Sequence, residues 1–316
     1  MLHLKCAVMS MATRFEVVLP GPPTPALQAV AEEALRAVTD TEKLLSPYIP
    51  TSDVWRINHH AWKEPVRVSP LTAGYLLRIL ELNKVTDGAF DINVGRLMQN
   101  YGFRDNEVEH DSQFGAVQPY RSLDRALLVD LTNYSVTLTG PDVYLDLGAI
   151  GKGIALDCAA EVLRGCGVES GFIHGGSSSA IGIGYPQDEI GWKVVVAGPD
   201  GDGDNLAEAW LCNTALSVST RSGRTVEHDN ARISHVMDPR TGQPAASAEV
   251  AAVITTSAAV CDAATTALLV LGNTGLATIG KACEEVSALV VTENEGARAV
   301  YSEGHAFALL SPYIAR

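Results

Sequence analysis

YLDLGAIGKGIALDCAAEVLRGCGV, residues 144–168, begins with a short apolar run carrying Asp146 and then turns on Gly148, Gly151 and Gly153 around Lys152. Apolar residues recur at Ile154, Ala155, Ala159, Val162 and Leu163, the spacing of one helix face. The stretch therefore predicts a strand, a tight glycine turn and a helix N-terminus. A helix start presents N–H groups without intrahelical acceptors and a partial positive charge, which suits an anion. Glycine lets a ligand come close to the backbone, and Lys152 adds a full charge. Such turns also occur where no phosphate binds, and the known phosphate fingerprints do not fit. GAIGKGI has no hydroxyl after Lys152, and Gly151-x-Gly153-x-x-Leu156 lacks a third glycine.

The chain has 316 residues, 47% of them hydrophobic and 19% charged. That is ample for a core and argues against disorder over most of its length. The net charge is −14, from 23 basic and 37 acidic residues. An acidic surface argues against general nucleic-acid binding and attachment to anionic membranes. An anionic ligand would need a local cation, a lysine or a metal.

Cys6, Cys158, Cys166, Cys212, Cys261 and Cys283 form no C-x-x-C pair and no zinc spacing. Cys158, Cys166 and Cys261 fall in or beside apolar helical patterns, so buried free thiols and a reducing compartment are expected. The N-terminal apolar run is too short for a signal peptide, with Arg14 and Glu16 close behind it. The sequence as given reads as cytoplasmic, and as exported or membrane-anchored if a leader was removed. Residues 250–272 are the one long apolar region, but Asp262 sits near its centre. A carboxylate is costly inside a bilayer, so a strand over 250–255 followed by a helix is expected, with no integral membrane segment.

Taken in order, 13–19 predicts a strand and 25–45 an amphipathic helix. Ser52 caps a short helix over 54–58, and Ser69 with Pro70 starts another that runs to Thr86. A short helix is expected near 94–100, and a surface excursion or two small strands over 106–126. A hairpin follows around Thr132-Asn133. Beyond the central stretch come strands on either side of Gly175-Gly176, a strand over 192–197, an acidic glycine loop over 200–205 and a strand over 216–220. Residues 228–243 read as a loop, 257–271 as a helix, and the remainder as helix, strand and hairpin strand.

Two places carry candidate chemistry. Asp262 and Thr266 lie four apart on a helix and face the same side. A carboxylate with a hydroxyl suits Mg²⁺, the alternative being a threonine and aspartate on a solvated face. Apolar neighbours on nearly every side of Asp262 require some partner for it. His235, in SHVMDPRTG, is a candidate general base, or simply an exposed loop histidine. No G-x-S-x-G elbow and no H-E-x-x-H motif is present.

Seven blocks in order resemble the ApbE family, flavin transferases that attach FMN to proteins with FAD as donor. They are MATRFEV (11–17), SPYIPTSDVWRIN (46–58), DGAFDINVG (87–95), LDLGAIGKGIALD (145–157), Gly175-Gly176, HVMDPRTGQP (235–244) and CDAATTALLVLG (261–272). The resemblance covers most of the chain. It implies one ApbE-like domain over 1–316 with an α+β, T-fold-related fold and FAD between two intimately packed halves. It implies that Met11 and Tyr48 line the flavin site, with Tyr48 packed on the ring, and that Ala89, Phe90 and Asp91 contact the nucleotide. Asp146 and Lys152 would lie beside the diphosphate. Mg²⁺ would be held by the carbonyl of Ala149 and the side chains of Asp262 and Thr266. His235 would deprotonate the acceptor hydroxyl and would also count among the cofactor-binding residues. The implied reaction moves FMN from FAD to a Ser or Thr hydroxyl of an acceptor flavoprotein and releases AMP. An Mg²⁺-dependent FAD pyrophosphatase and a non-catalytic FAD-binding protein are the alternatives. His174 and Ser177 around the glycine pair, and Arg221, depart from the family pattern.

Overall fold

The computed structural model describes residues 2–104, 121–199, 201, 204–223, 225–228, 231–282, 285–294 and 297–310. The chain starts with β1 (His3–Ser10), β2 (Thr13–Pro20), α1 (Pro25–Leu45), α2 (Asp53–His60), β3 (Val66–Arg67) and α3 (Pro70–Val85). Next come α4 (Gly95–Asn100), α5 (Leu123–Ala126), β4 (Leu127–Asp130), β5 (Ser135–Leu138), α6 (Gly151–Gly165), β6 (Gly171–Gly175) and β7 (Ser179–Ile183). They are followed by β8 (Trp192–Ala197), β9 (Asn205–Leu211), β10 (Thr214–Thr220), β11 (Thr225–His228), β12 (Ala231–Ser234), β13 (Met237–Asp238) and β14 (Gln243–Pro244). The last are β15 (Val250–Thr255), α7 (Ala258–Leu271), α8 (Leu276–Ala282), β16 (Ser287–Asn294), β17 (Ala297–Glu303) and β18 (Ala308–Leu309). The fold is α+β, and the chain divides into two compact units. One is Met1–Lys43, Gly148–Thr220 and Ser247–Arg316; the other is Leu44–Leu147 and Arg221–Ala246.

The first unit is built on an antiparallel sheet in the order β1-β2-β6-β7-β10-β15-β16-β17. Helix α7 packs on β10 and β15, and α6 packs on β7 and on α7. The opposite face meets the small sheet β18-β9-β8. There Leu206, Ala207, Ala209 and Leu211 pack with Leu216, Val250, Ala252 and Leu289. Covered on both sides, β15 (VAAVIT) is buried at every residue. This is why it reads as an unbroken apolar run rather than an alternating one. Each large side chain so buried contributes about 1.5–3 kcal/mol. Ala258–Lys281, which includes α7, is long and apolar enough to cross a membrane by length and composition alone, but most of its most apolar part is buried inside the protein.

In the second unit, Ser52 and Ser69 cap α2 and α3, accepting from the N–H groups of Trp55 and Thr72 at 3.0 Å each. Buried Asp53 links the two helices. It accepts from the Ser69 N–H at 2.8 Å and the Thr72 hydroxyl at 2.6 Å, and pairs with Arg56. A three-stranded sheet runs β3-β5-β4, its hairpin closed by Asp130 accepting from the Thr132 N–H at 2.8 Å. A small core joins Met98, Phe103 and Met237.

Several expectations need correction. Residues 144–147 belong to no strand. Backbone bonds from the Asp146 N–H to the Ile92 carbonyl (2.7 Å) and from the Gly95 N–H to the Tyr144 carbonyl (3.0 Å) are joined by side chains: Asn58 bonds both the N–H (2.8 Å) and the carbonyl (2.9 Å) of Leu145, and Asn93 accepts from the Tyr144 N–H at 3.1 Å. Residues 225–244 are not one loop but two hairpins, β11-β12 and β13-β14. Strands β1 and β9 had no counterpart in the sequence reading. Cys166 is exposed and Cys158 half-buried, so of the three expected buried thiols only Cys261 is one. Most of the 106–126 excursion, part of the 200–205 loop and Cys283 lie outside the described residues, while α5 forms the end of the excursion.

Candidate active site

In the first unit the site is built where α6 and α7 start. The N-cap residue of α6, Ile150, offers no side-chain cap. Asp262, on α7, supplies it. Its Oδ2 accepts from the Gly153 N–H at 2.7 Å, and its Oδ1 accepts from the Ser179 hydroxyl at 2.8 Å. The help is returned, because Asp157 of α6 caps α7. It accepts from the Ser257 hydroxyl (2.7 Å) and from the N–H groups of Ala258 (2.7 Å) and Ala259 (3.1 Å). Only glycine fits at 153, since a Cβ there would run into the Ala258 carbonyl and the Ala259 Cα. Burial raises the Asp157 carboxyl above the ordinary carboxylate range, and the nearby Asp262 charge adds to this. The bonds from Ser257, Ala259 and Ala258 pull the other way.

Asp262 is 4% exposed, and among the described residues no lysine or arginine pairs with it. A buried carboxylate with two hydrogen bonds and no counter-charge is an electrostatic deficit. Each of its oxygens accepts one bond and keeps a lone pair free. The Thr266 hydroxyl donates to the Asp262 carbonyl at 3.0 Å, so its own lone pairs also stay free. Ala149 lies in the turn that enters α6. One carboxylate, one hydroxyl and one carbonyl are hard oxygen donors and fit Mg²⁺. Among the described residues no three His, Cys, Asp or Glu side chains group so as to hold a metal.

Lys152 is half-buried in the first turn of α6 and bonds no carboxylate among the described residues. Met11 occupies the two-residue turn between β1 and β2, where Ser10 pairs with Thr13. Met11 and Ala12 both have left-handed backbones, at φ 50° and 57°. Such residues cost about 1–3 kcal/mol each. The Met11 Sδ lies 4.0 Å from where a Cβ on Gly151 would stand.

In the second unit, Asp146 is engaged by Arg104, whose Nε and Nη2 lie 2.8 and 2.6 Å from Oδ2. The same guanidinium sits 5.0 Å over the ring of Tyr48, which is itself half exposed. Asp146 is thus neutralised in place. Arg104 left no signal in the sequence, because its partner is 42 residues away. Ala89 and Phe90 are buried at 1% and 0% exposure. Phe90 is therefore core, with its carbonyl accepting from Asn83 at 2.8 Å. Asp91 accepts from Asn83 at 3.0 Å and from the Asn93 N–H at 2.6 Å.

His235 follows β12, half-buried, with its ring 6.5 Å from that of Phe103 at an interplanar angle of 64°. The turn after it is rigid. Asp238 takes two bonds from Arg240 at 2.9 Å each, and its carbonyl accepts from the Gly242 N–H at 2.9 Å. Burial raises the Asp238 carboxyl, but the bonds and charge of Arg240 outweigh it and hold the group below its ordinary range. His174 bonds the Gly176 carbonyl at 2.9 Å.

An α+β chain that bonds a buried carboxylate without a counter-charge to a helix start bearing a lysine has groups that a divalent cation and a phosphorylated ligand would meet. Comparison with known proteins narrows this. The family model of the ApbE family matches residues 11–290. An FAD:protein FMN transferase from Vibrio cholerae is 27% identical, covering 85% of this chain and 80% of that protein. The one from Salmonella typhimurium is 31% identical over 73% of this chain and 67% of its own length. The crystal structure of the ApbE protein from Thermotoga maritima aligns with a TM-score of 0.82 at 26% identity, over 94% of this chain and 96% of that one. The chain belongs to the ApbE family.

Proposed function

We propose that this chain is an FAD:protein FMN transferase, acting as one ApbE-like domain over residues 1–316. It takes FMN from FAD onto a Ser or Thr hydroxyl of an acceptor flavoprotein in an Mg²⁺-dependent reaction and releases AMP. The names of the relatives and the family match across 11–290 support the activity. The observation that carries the reading is buried Asp262, without a counter-charge and bonded to the start of the helix that bears Lys152. That is an arrangement short of one cation and ready for phosphates.

Asp262, Thr266 and the Ala149 carbonyl would hold Mg²⁺, whose chemistry when bound is polarisation of phosphoryl oxygens. The protein's own groups do the rest. Lys152 and the N-terminus of α6 hold the diphosphate by charge and dipole. Tyr48 and Met11 pack on the flavin, and Asp91 and the backbone of Ala89 and Phe90 meet the nucleotide. His235 takes the proton of the acceptor hydroxyl. The hydroxyl oxygen then bonds the FMN phosphorus while the phosphoanhydride bond breaks and its electron pair leaves with AMP. Positioning and charge neutralisation supply most of the rate.

Purified chain incubated with FAD, Mg²⁺ and an acceptor domain, followed by intact mass, tests the reading. The acceptor is expected to gain one FMN. Free FMN and AMP with an unlabelled acceptor would make the chain a pyrophosphatase, and intact bound FAD would make it a binding protein.

A further inference from the structure

We infer that Glu42 is a positioning residue for ligand binding: it locks the strained Met11–Ala12 turn and so fixes the Met11 thioether over the start of α6. The inference rests on the flavin reading above, which places Met11 at the ligand. Two-residue hairpin loops with both φ values positive are normally built from Asn, Asp and Gly, because in the left-handed region a Cβ crowds the following carbonyl oxygen, which Gly avoids and Asn and Asp offset by local hydrogen bonds. Here the loop is Met-Ala at φ 50° and 57°. A left-handed turn of two Cβ-bearing residues persists only where its surroundings over-determine it, and such outliers gather at functional sites.

Glu42 does the determining. It lies near the end of α1, 31 residues from Met11 in sequence, and spends both carboxylate oxygens on this corner. Oε1 accepts from the Met11 N–H at 2.8 Å, and Oε2 accepts from the Ser10 hydroxyl at 2.6 Å. Ser10 is buried at 4% exposure, so the anchor beneath the turn is fixed. The Met11 N–H belongs to the first left-handed residue. Bonding it to a rigid helix sets the direction in which the side chain leaves the turn. That direction brings Sδ to the open face of Gly151, at 4.0 Å from where a Cβ would stand. A loop of Asn-Gly would turn the chain with less strain but would place no thioether there.

Four variants of the full chain test this by FAD titration and steady-state kinetics: Glu42→Ala, Glu42→Gln, Ala12→Gly and the double Ala12→Gly with Glu42→Ala. Glu42→Ala is expected to weaken FAD binding about tenfold, with kcat at saturating FAD little changed. Glycine holds a positive φ without help. The double variant is therefore expected to return to within about threefold of the parent. Parental affinity in Glu42→Ala, or a folded double variant as weak as Glu42→Ala, would overturn the proposal. Should Glu42→Ala fail to fold, Glu42→Gln decides. It keeps an acceptor for the Met11 N–H and is expected within about threefold of the parent, and a tenfold loss would overturn the turn-locking role. Hydrogen exchange at the Met11 amide separates this proposal from the flavin reading. Loss of protection in Glu42→Ala is expected whether or not FAD binds, and unchanged protection overturns the lock. A parent chain that binds no FAD overturns the flavin reading instead.

Discussion

Asp262 and His235 ask different things of the chemistry, and single substitutions separate them. Removing the Asp262 carboxylate takes away a buried charge that a cation would answer, together with its bond to the Gly153 N–H. Asp262→Ala is expected to cut Mg²⁺-dependent turnover by about 100-fold or more while circular dichroism shows the fold retained. Mg²⁺ titration followed by calorimetry should lose its heat in parallel. Unchanged turnover and an unchanged Mg²⁺ heat would remove Asp262 from the metal. His235, half-buried beside Phe103, is the proposed base. His235→Ala is expected to slow transfer by about 10²–10⁴-fold with FAD affinity kept within about threefold. A matching loss of FAD affinity would make it a binding residue. The distinction is clean because the Asp238–Arg240 turn that follows His235 is closed by its own bonds.

Helices α6 and α7 depend on one another, since Asp157 caps the second and Asp262 the first. Their near collision at Gly153 fixes the stagger that makes both caps reach. The titration of Asp157 carries a signature of this. Its folded pKa is raised by burial, so the folded protein keeps the proton where the unfolded chain has already released it. Stability therefore falls as pH rises from the ordinary Asp value, about 3.9, to the raised folded value, and the loss is complete above it. Asp157→Asn keeps an acceptor for the α7 N–H groups but has no proton to lose. The melting temperature of the variant, relative to the parent, should climb with pH through that window and level off beyond it. A difference independent of pH would show the carboxyl unperturbed. Elements of this kind were partly visible in the sequence. Helix α1 (Pro25–Leu45) and strand β15 (Val250–Thr255) have the bounds read from periodicity and from an apolar run, because local pattern alone specifies them. The caps Ser52 and Ser69 were visible for the same reason. The run 144–147 was misread as a strand because side chains bond part of its backbone, both polar groups of Leu145 being taken by Asn58, 87 residues away. Within the site, the Asp262 and Thr266 spacing and Lys152 stood out, while Glu42, Arg104 and the role of Asp157 did not. Each of these acts through a partner that no sequence window contains.

For the molecule as a whole, the dominant long-range term is its charge. A net −14 surrounds a chain proposed to bind FAD, whose diphosphate is itself anionic. At low ionic strength that field repels the ligand at distances well beyond hydrogen-bond range. Local cations such as Lys152 and the α6 dipole act only within the last few ångströms. The Debye length shortens from about 30 Å at 0.01 M salt to about 10 Å at 0.1 M. Salt therefore removes the repulsion before it weakens the contacts. The association rate of FAD, followed by stopped-flow quenching of flavin fluorescence, should rise several-fold between those two salt concentrations. The dissociation rate, set by short-range packing and hydrogen bonds, should change less. Lys152→Gln should lower the association rate at both salts but leave the upward trend in place, since one lysine against −14 does not reverse the field. An association rate that falls with salt in the parent chain and rises in Lys152→Gln would mean the opposite, that the local positive charge at α6 steers FAD and the surface charge does not reach it.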